Sequence, residues 1–453
     1  MDVLQSVFRV APWILADAEI QSLSIKVILH TLSVNHDHKL RAKGCELFTS
    51  LLMGRQDFGS KEESLEISFS IVNFQIIPAV CYCLKDPDLL VNVSAVSAMA
   101  ELSTSDWVFF CQWHDVSISA IQTLLLVIQL CMVKPSGDCI KSKDRKQSSN
   151  ARAEACKSLG KICTSVLGPK MEKCISETLL SDQSKKITVC SLCYILYNEG
   201  VAALLDSCRD PCAAVRGMAI FAIGNLSLAL NQSEDKLVLQ SGTRHLELCN
   251  VALFLLKEDD DKVTGNAIRT ISHLIEGLFS LSTYNDSWAD ENGVIDILGF
   301  ATEILSERIH LVLLETSGVG VERTWRQRSS AKKHAWGACR GLSAILSNRL
   351  ASRKCIAKQV EFAIKCLVGC LDQALILHLK IVSSAVSSLR SVSIDVWKGL
   401  SGEESVVGMA IKGCVGILSS SEASHLAIAN TALIWLLSSL MSLTNLFTNK
   451  ISL

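Results

Sequence analysis

Residues 210–226 read DPCAAVRGMAIFAIGNL and contain the clearest helix pattern of the sequence. Counted from Val215, small or apolar residues follow at positions +4, +7, +8, +9 and +11. This spacing places them on one stripe of a helix with 3.6 residues per turn. Asp210, just before the stripe, suits a helix start because its side chain can accept hydrogen bonds from the first backbone N–H groups. The segment therefore predicts an amphipathic helix whose small residues face a neighbouring helix.

The same template recurs along the chain. Each copy has a start residue equivalent to Val215, and the position four residues later is always small. The start residues of the close fits are Leu40, Val91, Ala151, Val215, Val263 and His334, and those of the weaker fits are Ile381 and Val406. The small residues are Gly44, Ala95, Ala155, Ala219, Ala267, Ala338, Ala385 and Ala410. A small side chain there lets two helices approach closely, so the repetition predicts an all-α fold built by stacking helix pairs.

The template resembles the second helix of HEAT and armadillo repeats, whose pattern is Asp-x-x-x-x-Val-Arg-x-x-Ala-x-x-Ala-Leu-Gly-x-Leu. Residues 210–226 match this pattern closely. The resemblance implies an α-solenoid (superhelix) of HEAT/ARM-like helix pairs that acts as a binding scaffold without catalysis. In the family the arginine often bridges to the next repeat. Only Arg41, Arg152 and Arg216 keep it in this chain, so a continuous arginine ladder is not implied.

Composition narrows the function classes. Lys and Arg number 44 against 45 Asp and Glu, so no strong overall field draws the chain to nucleic acid or anionic lipid. The 19 cysteines are odd in number and show no spacing framework. Because the chain also begins without a basic signal-peptide region, these cysteines indicate reduced thiols and a cytoplasmic or nuclear location.

We predict one array over residues 1–453, with polar loops inserted at about 54–66, 134–150 and 316–333. The third loop contains Trp325 among several arginines and lysines, an arrangement that is compatible with stacking on bases or pairing with acidic partners. A solvated loop is the favoured interpretation. The segment Arg326-Gln-Arg328-Ser329-Ser330 also resembles a substrate of basophilic protein kinases.

Motifs for chemistry are absent from the sequence. There is no phosphate-binding loop, nucleophile elbow or zinc-protease motif. The pair Cys190 and Cys193 has CxxC spacing but lacks a second pair or histidines at ligand spacing. We therefore predict no enzyme, no cofactor and no metal. The uncharged stretches Val116–Val133 and Ala423–Asn449 favour buried helices, and a C-terminal membrane anchor is kept as an alternative.

The sequence favours a scaffold that binds a protein or peptide along the concave face formed by its second helices. The residues beside the buried stripe are expected to line that face, and they are Arg152, Lys157, Arg216, Asn225, Asn266, Arg269, His273 and Arg340. They supply hydrogen-bond donors with long reach, which suit an extended partner with acidic or carbonyl groups. Two alternatives stay open: a nucleic-acid-associated scaffold that uses its basic loops, and a C-terminally membrane-anchored repeat protein.

Overall fold

The computed structural model describes part of the chain, and every regular element in that part is a helix. The described residues are 5–7, 18–33, 37–58, 76–111, 120–132, 142–168, 183–232, 242–282, 291–318, 324–374, 376–393, 395–397 and 415. They divide into two compact units, Met1–Gln240 and Ser241–Leu453. That residues 1–453 form a single array stays a prediction.

The first unit contains nine α-helices in its described residues, besides short helical segments at 5–7 and 76–83. They are α1 (Ala18–Leu32), α2 (His38–Phe58), α3 (Leu89–Met99), α4 (Thr104–Cys111), α5 (Ala120–Cys131), α6 (Ser142–Leu167), α7 (Gln183–Ile195), α8 (Val201–Ser207) and α9 (Ala213–Gln232). A π-helical turn, Leu196–Gly200, joins α7 to α8. Helix α9 is the one that residues 210–226 predict.

In the first unit, the helices that carry the template stack on one another, and we call them the second helices of their pairs. Helices α2, α3, α6 and α9 carry the template, and each packs against the next in that order. First helices pack beside them, α1 against α2, α5 against α6 and α8 against α9. This two-layer arrangement is the one that a solenoid of helix pairs requires.

The second unit repeats the same plan in its described residues. Its helices are α10 (Gly242–Leu255), α11 (Asp261–Ser282), α12 (Glu291–Thr316), α13 (Trp325–Leu346), α14 (Ala357–Asp372) and α15 (Leu379–Ser391). Helices α11, α13 and α15 form the second-helix layer, and α10, α12 and α14 form the first-helix layer. Two 3-10 turns, Arg349–Ser352 and Lys354–Ile356, connect α13 to α14.

The small residues of the template lie in the core, as the sequence predicts. Gly44 is buried, and the others that the structure describes are at most 2% exposed, namely Ala95, Ala155, Ala219, Ala267, Ala338 and Ala385. Ala410, the last of the set, lies outside the described residues. The fold class is therefore confirmed as all-α, an α-solenoid of HEAT/ARM-like helix pairs.

The predicted loops are shorter than the sequence indicated, and this part of the prediction is corrected. Helix α2 continues to Phe58, α6 begins at Ser142 and α13 begins at Trp325. Each of these ends is polar and lacks an apolar stripe, a pattern that predicts a loop. Lys, Arg, Gln and Glu are good helix formers, so a polar segment can extend a helix into solvent. The remainders 59–66, 134–141 and 319–323 lie outside the described residues.

Two helices in the described part of the chain are long and apolar enough to cross a membrane, judged by length and composition alone. They span Val189–Ser207 and Ala213–Gln232, and 50% and 61% of their apolar windows are buried within the protein. The predicted stretch Val116–Val133 forms the 12-residue helix α5 over its described residues. The other stretch, Ala423–Asn449, lies outside the described residues.

Candidate protein-interaction surface

Arg152 and Arg216 occupy the same template position, one residue after the start residue. The Nε of Arg152 donates to Oδ2 of Asp210 at 2.9 Å, and the Arg152 side chain is only 5% exposed. Arg216 donates from Nη1 to the carbonyl of Asp210 at 2.8 Å. Both arginines therefore bind the turn that precedes α9, and Arg152 joins α6 to the next repeat.

An equivalent contact joins the earlier repeats. Nε of Arg41 on α2 donates to Oδ2 of Asp86 at 2.7 Å, in the turn before α3. On α3 the equivalent residue is Asn92, whose amide donates to the carbonyls of Cys83, Leu84 and Asp86. The position after the start residue therefore serves to hold inter-helix turns, and we draw the candidate surface without Arg152 and Arg216.

The other two predicted residues of the first unit are half-buried. Lys157 on α6 pairs with Glu154 at 2.9 Å on the same helix, and Asn225 lies on α9. They come from the same layer, but neither is freely exposed.

In the second unit the predicted residues come together on one surface. Asn266, Arg269 and His273 are spaced i, i+3 and i+7 on α11, so they share one helix face. Arg340 on α13 occupies the same template position as Arg269, six residues after the start residue. Burial, and after it the charge of Arg340, lowers the pKa of the Arg269 guanidinium. Glu276, which faces His273 Nδ1 at 3.5 Å, is the acidic residue on this part of α11.

A row of lysines runs beside these arginines. Lys262, Lys333 and Lys380 each precede the start residue of their repeat by one position, and all three are exposed. Arg390 is exposed on α15. We call this surface the basic face and define it by Arg269, Lys333, Arg340, Lys380 and Arg390. Lys262 lies at its edge, directly after the acidic run Asp259–Asp261.

A tryptophan lies within the basic face. Trp336 is 37% exposed, and Nζ of Lys380 on the adjacent second helix is 5.4 Å from the centroid of its ring. That distance is within the range of a cation–π contact. Sequence reasoning missed Trp336, Lys380 and Arg390. Projecting α13 and α15 at 100° per residue would have placed them beside Arg340, because all of them lie opposite the buried stripe.

Charge is divided between the two layers of the second unit. Helices α13 and α15 contain no Asp or Glu. Helix α12, in the first-helix layer, carries the exposed acids Asp296, Glu303 and Glu307. The overall balance of the chain therefore hides a locally basic second-helix layer, which attracts anionic groups.

Hydrogen bonds hold the helices that carry the basic face. Ser343 Oγ on α13 and Ser391 Oγ on α15 are 2.9 Å apart, and Ser388 donates to the carbonyl of Cys339. His334 Nε2 lies 3.0 Å from the carbonyl of Asp261, which links α13 to α11. These contacts fix the spacing of the cations before a partner arrives, and such preorganisation lowers the cost of binding.

We also considered metal sites and cavities in the described part of the chain as candidate functional sites. No cluster of three or more His, Cys, Asp or Glu is arranged there to hold a metal ion. A polar cavity of about 330 Å³ lies between α11, α12 and α13, with Arg308 and His334 among its lining residues. A second cavity of about 560 Å³ lies over the short helix α3, and its glutamates Glu46 and Glu154 pair with lysines of their own helices.

Together these features define a class of protein, a helical-repeat solenoid with a charged surface on its second helices. Neither a protein-family model nor a curated protein sequence matches the chain. Solved structures are similar to it in fold. An engineered protein is 15% identical with a TM-score of 0.39, and the match covers 69% of this chain and 96% of that one.

Two further solved structures are also similar. Yeast importin-beta (Kap95p) is 11% identical with a TM-score of 0.38, and the match covers 98% of this chain. Kap121p is 12% identical with a TM-score of 0.32, and the match covers 90% of this chain. The chain spans 61% of the length of the first and 40% of the second. At these identities and TM-scores the similarity carries no argument about what the chain binds.

Proposed function

We propose that this chain is a non-enzymatic scaffold that binds an acidic, extended segment of a partner protein along the basic face of its second unit. The observation that carries the proposal is the charge of α13 and α15, which present Lys333, Arg340, Lys380 and Arg390 to solvent and contain no acidic residue. Arginine and lysine with this spacing suit carboxylates, because each side chain donates several hydrogen bonds over a long reach. Asn266, Arg269 and His273 extend the same surface onto α11.

The repeat geometry sets the spacing of the acids in such a segment. Packed helices lie about 8–10 Å apart, and an extended chain of polyproline II type advances about 3.1 Å per residue and presents every third side chain on the same side. Cations in equivalent positions on neighbouring second helices, such as Arg269 and Arg340, are therefore about three residues apart along a bound peptide. A segment with an acidic residue at every third position fits this spacing.

The test uses the full chain and a fluorescein-labelled peptide with Glu at every third position, separated by Gly and Ser. A shuffled peptide of the same composition is the comparison. We expect fluorescence anisotropy to show tighter binding of the regular peptide, with affinity that falls as salt rises because exposed charges are screened. The double variant Lys333→Glu/Lys380→Glu should weaken binding by at least about tenfold, since it places like charges against the peptide.

The matched control is Lys354→Glu/Lys358→Glu. These two lysines are also exposed in the second unit, but they lie on or beside the first-helix layer. The control makes the same change in net charge and should leave binding unchanged. Equal losses in the two double variants would mean that overall charge, rather than the basic face, captures the peptide.

A nucleic-acid-associated scaffold is the second candidate, favoured by Trp336 beside Lys380 and by Trp325 at the start of α13. Aromatic rings among cations suit single-stranded nucleic acid, where bases stack and phosphates pair. A labelled 12-nucleotide oligothymidine provides the discriminating probe. If it binds more tightly than the regular peptide, and Trp336→Leu weakens it at least about tenfold by loss of stacking, the protein-partner proposal gives way to this one.

The cytoplasmic or nuclear location remains part of the proposal. Its support is the state of the cysteines that the structure describes, which are free thiols and mostly buried. Buried, unpaired cysteines behave as small apolar residues and are common in reducing compartments.

A further inference from the structure

The first turns of α13 are the least buried part of the helix, and we call residues 325–333 its projecting end. Residues 325–333 are exposed or half-buried, and the first buried residue of the helix is His334. Trp325, at the helix start, is 83% exposed. Helical segments with little tertiary packing are marginally stable, so this end opens at lower cost than the buried remainder of α13.

A capping box closes this end of the helix. Thr324 Oγ1 accepts a hydrogen bond from the backbone N–H of Gln327 at 3.4 Å, and Gln327 Oε1 accepts one from the backbone N–H of Thr324 at 3.0 Å. The projecting end is therefore an ordered helix held by local contacts, which an enzyme that needs an extended substrate can open.

Ser329 lies within this projecting end and on the side of the basic face. Arg326 precedes it by three residues and Lys333 follows it by four, which are the spacings at which helix side chains meet. Arg326 and Arg328 stand at the −3 and −1 positions before Ser329, the pattern that basophilic kinases accept. Ser329 is half-buried, so its hydroxyl becomes fully accessible when the end opens.

We propose that Ser329 is a phosphorylation site of a basophilic protein kinase, and that its phosphate closes the basic face to acidic partners. The second half of this proposal rests on the proposed function. In the transfer, Ser329 Oγ bonds to the γ-phosphorus of a nucleoside triphosphate while the bond from that phosphorus to the β–γ bridging oxygen breaks. The nucleoside diphosphate leaves, and the hydroxyl proton passes to the base of the kinase.

The phosphate is expected to stabilise the start of α13 and to reduce the positive charge of the basic face. It brings about two negative charges at neutral pH and strong acceptor oxygens, within reach of Arg326 and Lys333. The modified end should therefore become more ordered, while the phosphate competes with an acidic segment for the same cations.

The test treats the full chain with a purified basophilic kinase and ATP, then maps phosphate by mass spectrometry. We expect near-complete modification at Ser329, which Ser329→Ala abolishes. Ser387, exposed on α15 without an arginine three residues before it, serves as the internal control and should stay unmodified. Absence of phosphate at Ser329, or equal modification at Ser387, would overturn the assignment of the site.

Two readouts on the modified chain separate this proposal from the proposed function. Amide exchange over residues 325–333 should slow several-fold, whatever the chain binds, because the phosphate pairs along the helix. Affinity for the regular glutamate peptide should fall about tenfold, since the phosphate pairs with Lys333 and places about two negative charges beside the face. If the unmodified chain does not bind the peptide, the proposed function fails, and slowed exchange still supports the site. Unchanged exchange, or unchanged binding in a chain that binds before modification, counts against the switch.

Discussion

At the scale of single residues, two ion pairs join consecutive repeats of the first unit. Arg41 pairs with Asp86, and Arg152 pairs with Asp210. The two partners of each pair are more than 40 residues apart in the sequence. Burial alone would raise the pKa of Asp86, but the hydrogen bonds from Arg41 and from the backbone of Asp88 lower it overall. The folded state therefore favours the ionised carboxylate, and its stability is linked to pH.

Asp86→Asn is expected to destabilise the first unit by about 3 kcal/mol at neutral pH, because it leaves the charge of Arg41 without its buried partner. Since the folded pKa is lowered, the contribution is complete above the unfolded value of about 3.9 and is lost as pH falls through the folded value. Urea unfolding at pH 7, 5, 4 and 3 measures it. The difference between wild type and variant should be constant from pH 7 to 5 and shrink below pH 4.

Asp88→Asn provides the control for this prediction. Asp88 accepts a hydrogen bond from the backbone N–H of Leu90 at the start of α3, and asparagine caps helices about as well. We expect a change of less than about 0.5 kcal/mol. A wild-type advantage over Asp86→Asn that persists unchanged at pH 3 would show that the Asp86 side chain acts through packing rather than through its charge.

At the scale of elements, the second helices of the first unit approach closely because one of them carries glycine at the contact. A Cβ atom on Gly160 of α6 would lie 2.6 Å from the Cα of Ala222 on α9. Real Cβ atoms do not come so near to backbone atoms, so any side chain at this position must push the two helices apart. The position therefore sets the distance between two repeats.

Gly160→Ala should destabilise the protein by about 1–3 kcal/mol, as overpacked cores do. The sign is informative, because glycine to alanine inside a helix ordinarily stabilises by roughly 0.5–1 kcal/mol. Gly200→Ala is the matched control. Its new Cβ would meet only side-chain tips, the nearest being Leu196 Cδ1 at 3.3 Å, so that variant should be neutral or stabilising in urea unfolding. A stabilised Gly160→Ala variant would contradict the close approach.

The sequence predicts the positions of helices whose buried residues repeat every 3.6 positions. It does not predict where those helices begin and end. The spacing of Ala219 and its equivalents depends on a 3.6-residue period, which shows directly in the sequence. The start of α13 depends instead on a capping box and on good helix formers in solvent, which leave no apolar stripe. The polarity of residues 325–333 therefore predicts a loop where the structure has a helix.

The candidate surface was predictable only in part, for a related reason. Arg269, His273 and Arg340 flank the buried stripe, so the template alone located them on one surface. Arg152 flanks the stripe as well, but on the side where the next repeat packs, and sequence spacing does not say which flank that is. Trp336 and Lys380 lie opposite the stripe on separate helices, and their contact depends on how α13 and α15 pack.

At the scale of the whole molecule, the net charge is near zero although the two helix layers of the second unit differ in charge. A sum over 44 basic and 45 acidic residues predicts a weak overall electric field, whereas the charged residues of α13 and α15 are all basic. Electrostatic attraction between exposed groups fades beyond about 10 Å at moderate salt. A partner therefore responds to the charges of the nearby helix layer rather than to the net charge of the whole chain.

The chain also divides into two compact units, and each has its own buried template residues. Ala219 lies in the core of the first unit and Ala267 in that of the second, and both are fully buried. Replacing either with glutamate buries an unpaired charge where there is no room for it, a lesion that costs several kcal/mol. In repeat proteins such damage spreads through neighbouring repeats, since stability is a sum of local and nearest-neighbour contributions.

We therefore expect Ala219→Glu to speed amide exchange through α6 and α9 while α11 to α15 exchange as in wild type, and Ala267→Glu to do the reverse. Hydrogen exchange read by mass spectrometry resolves the two units in one experiment. Ser227→Ala and Thr270→Ser, at buried positions in the same helices, supply mild controls that remove or keep a hydroxyl and add no charge. If either glutamate variant accelerates exchange in both units equally, the chain unfolds as one cooperative array, and the division into two units has no thermodynamic meaning.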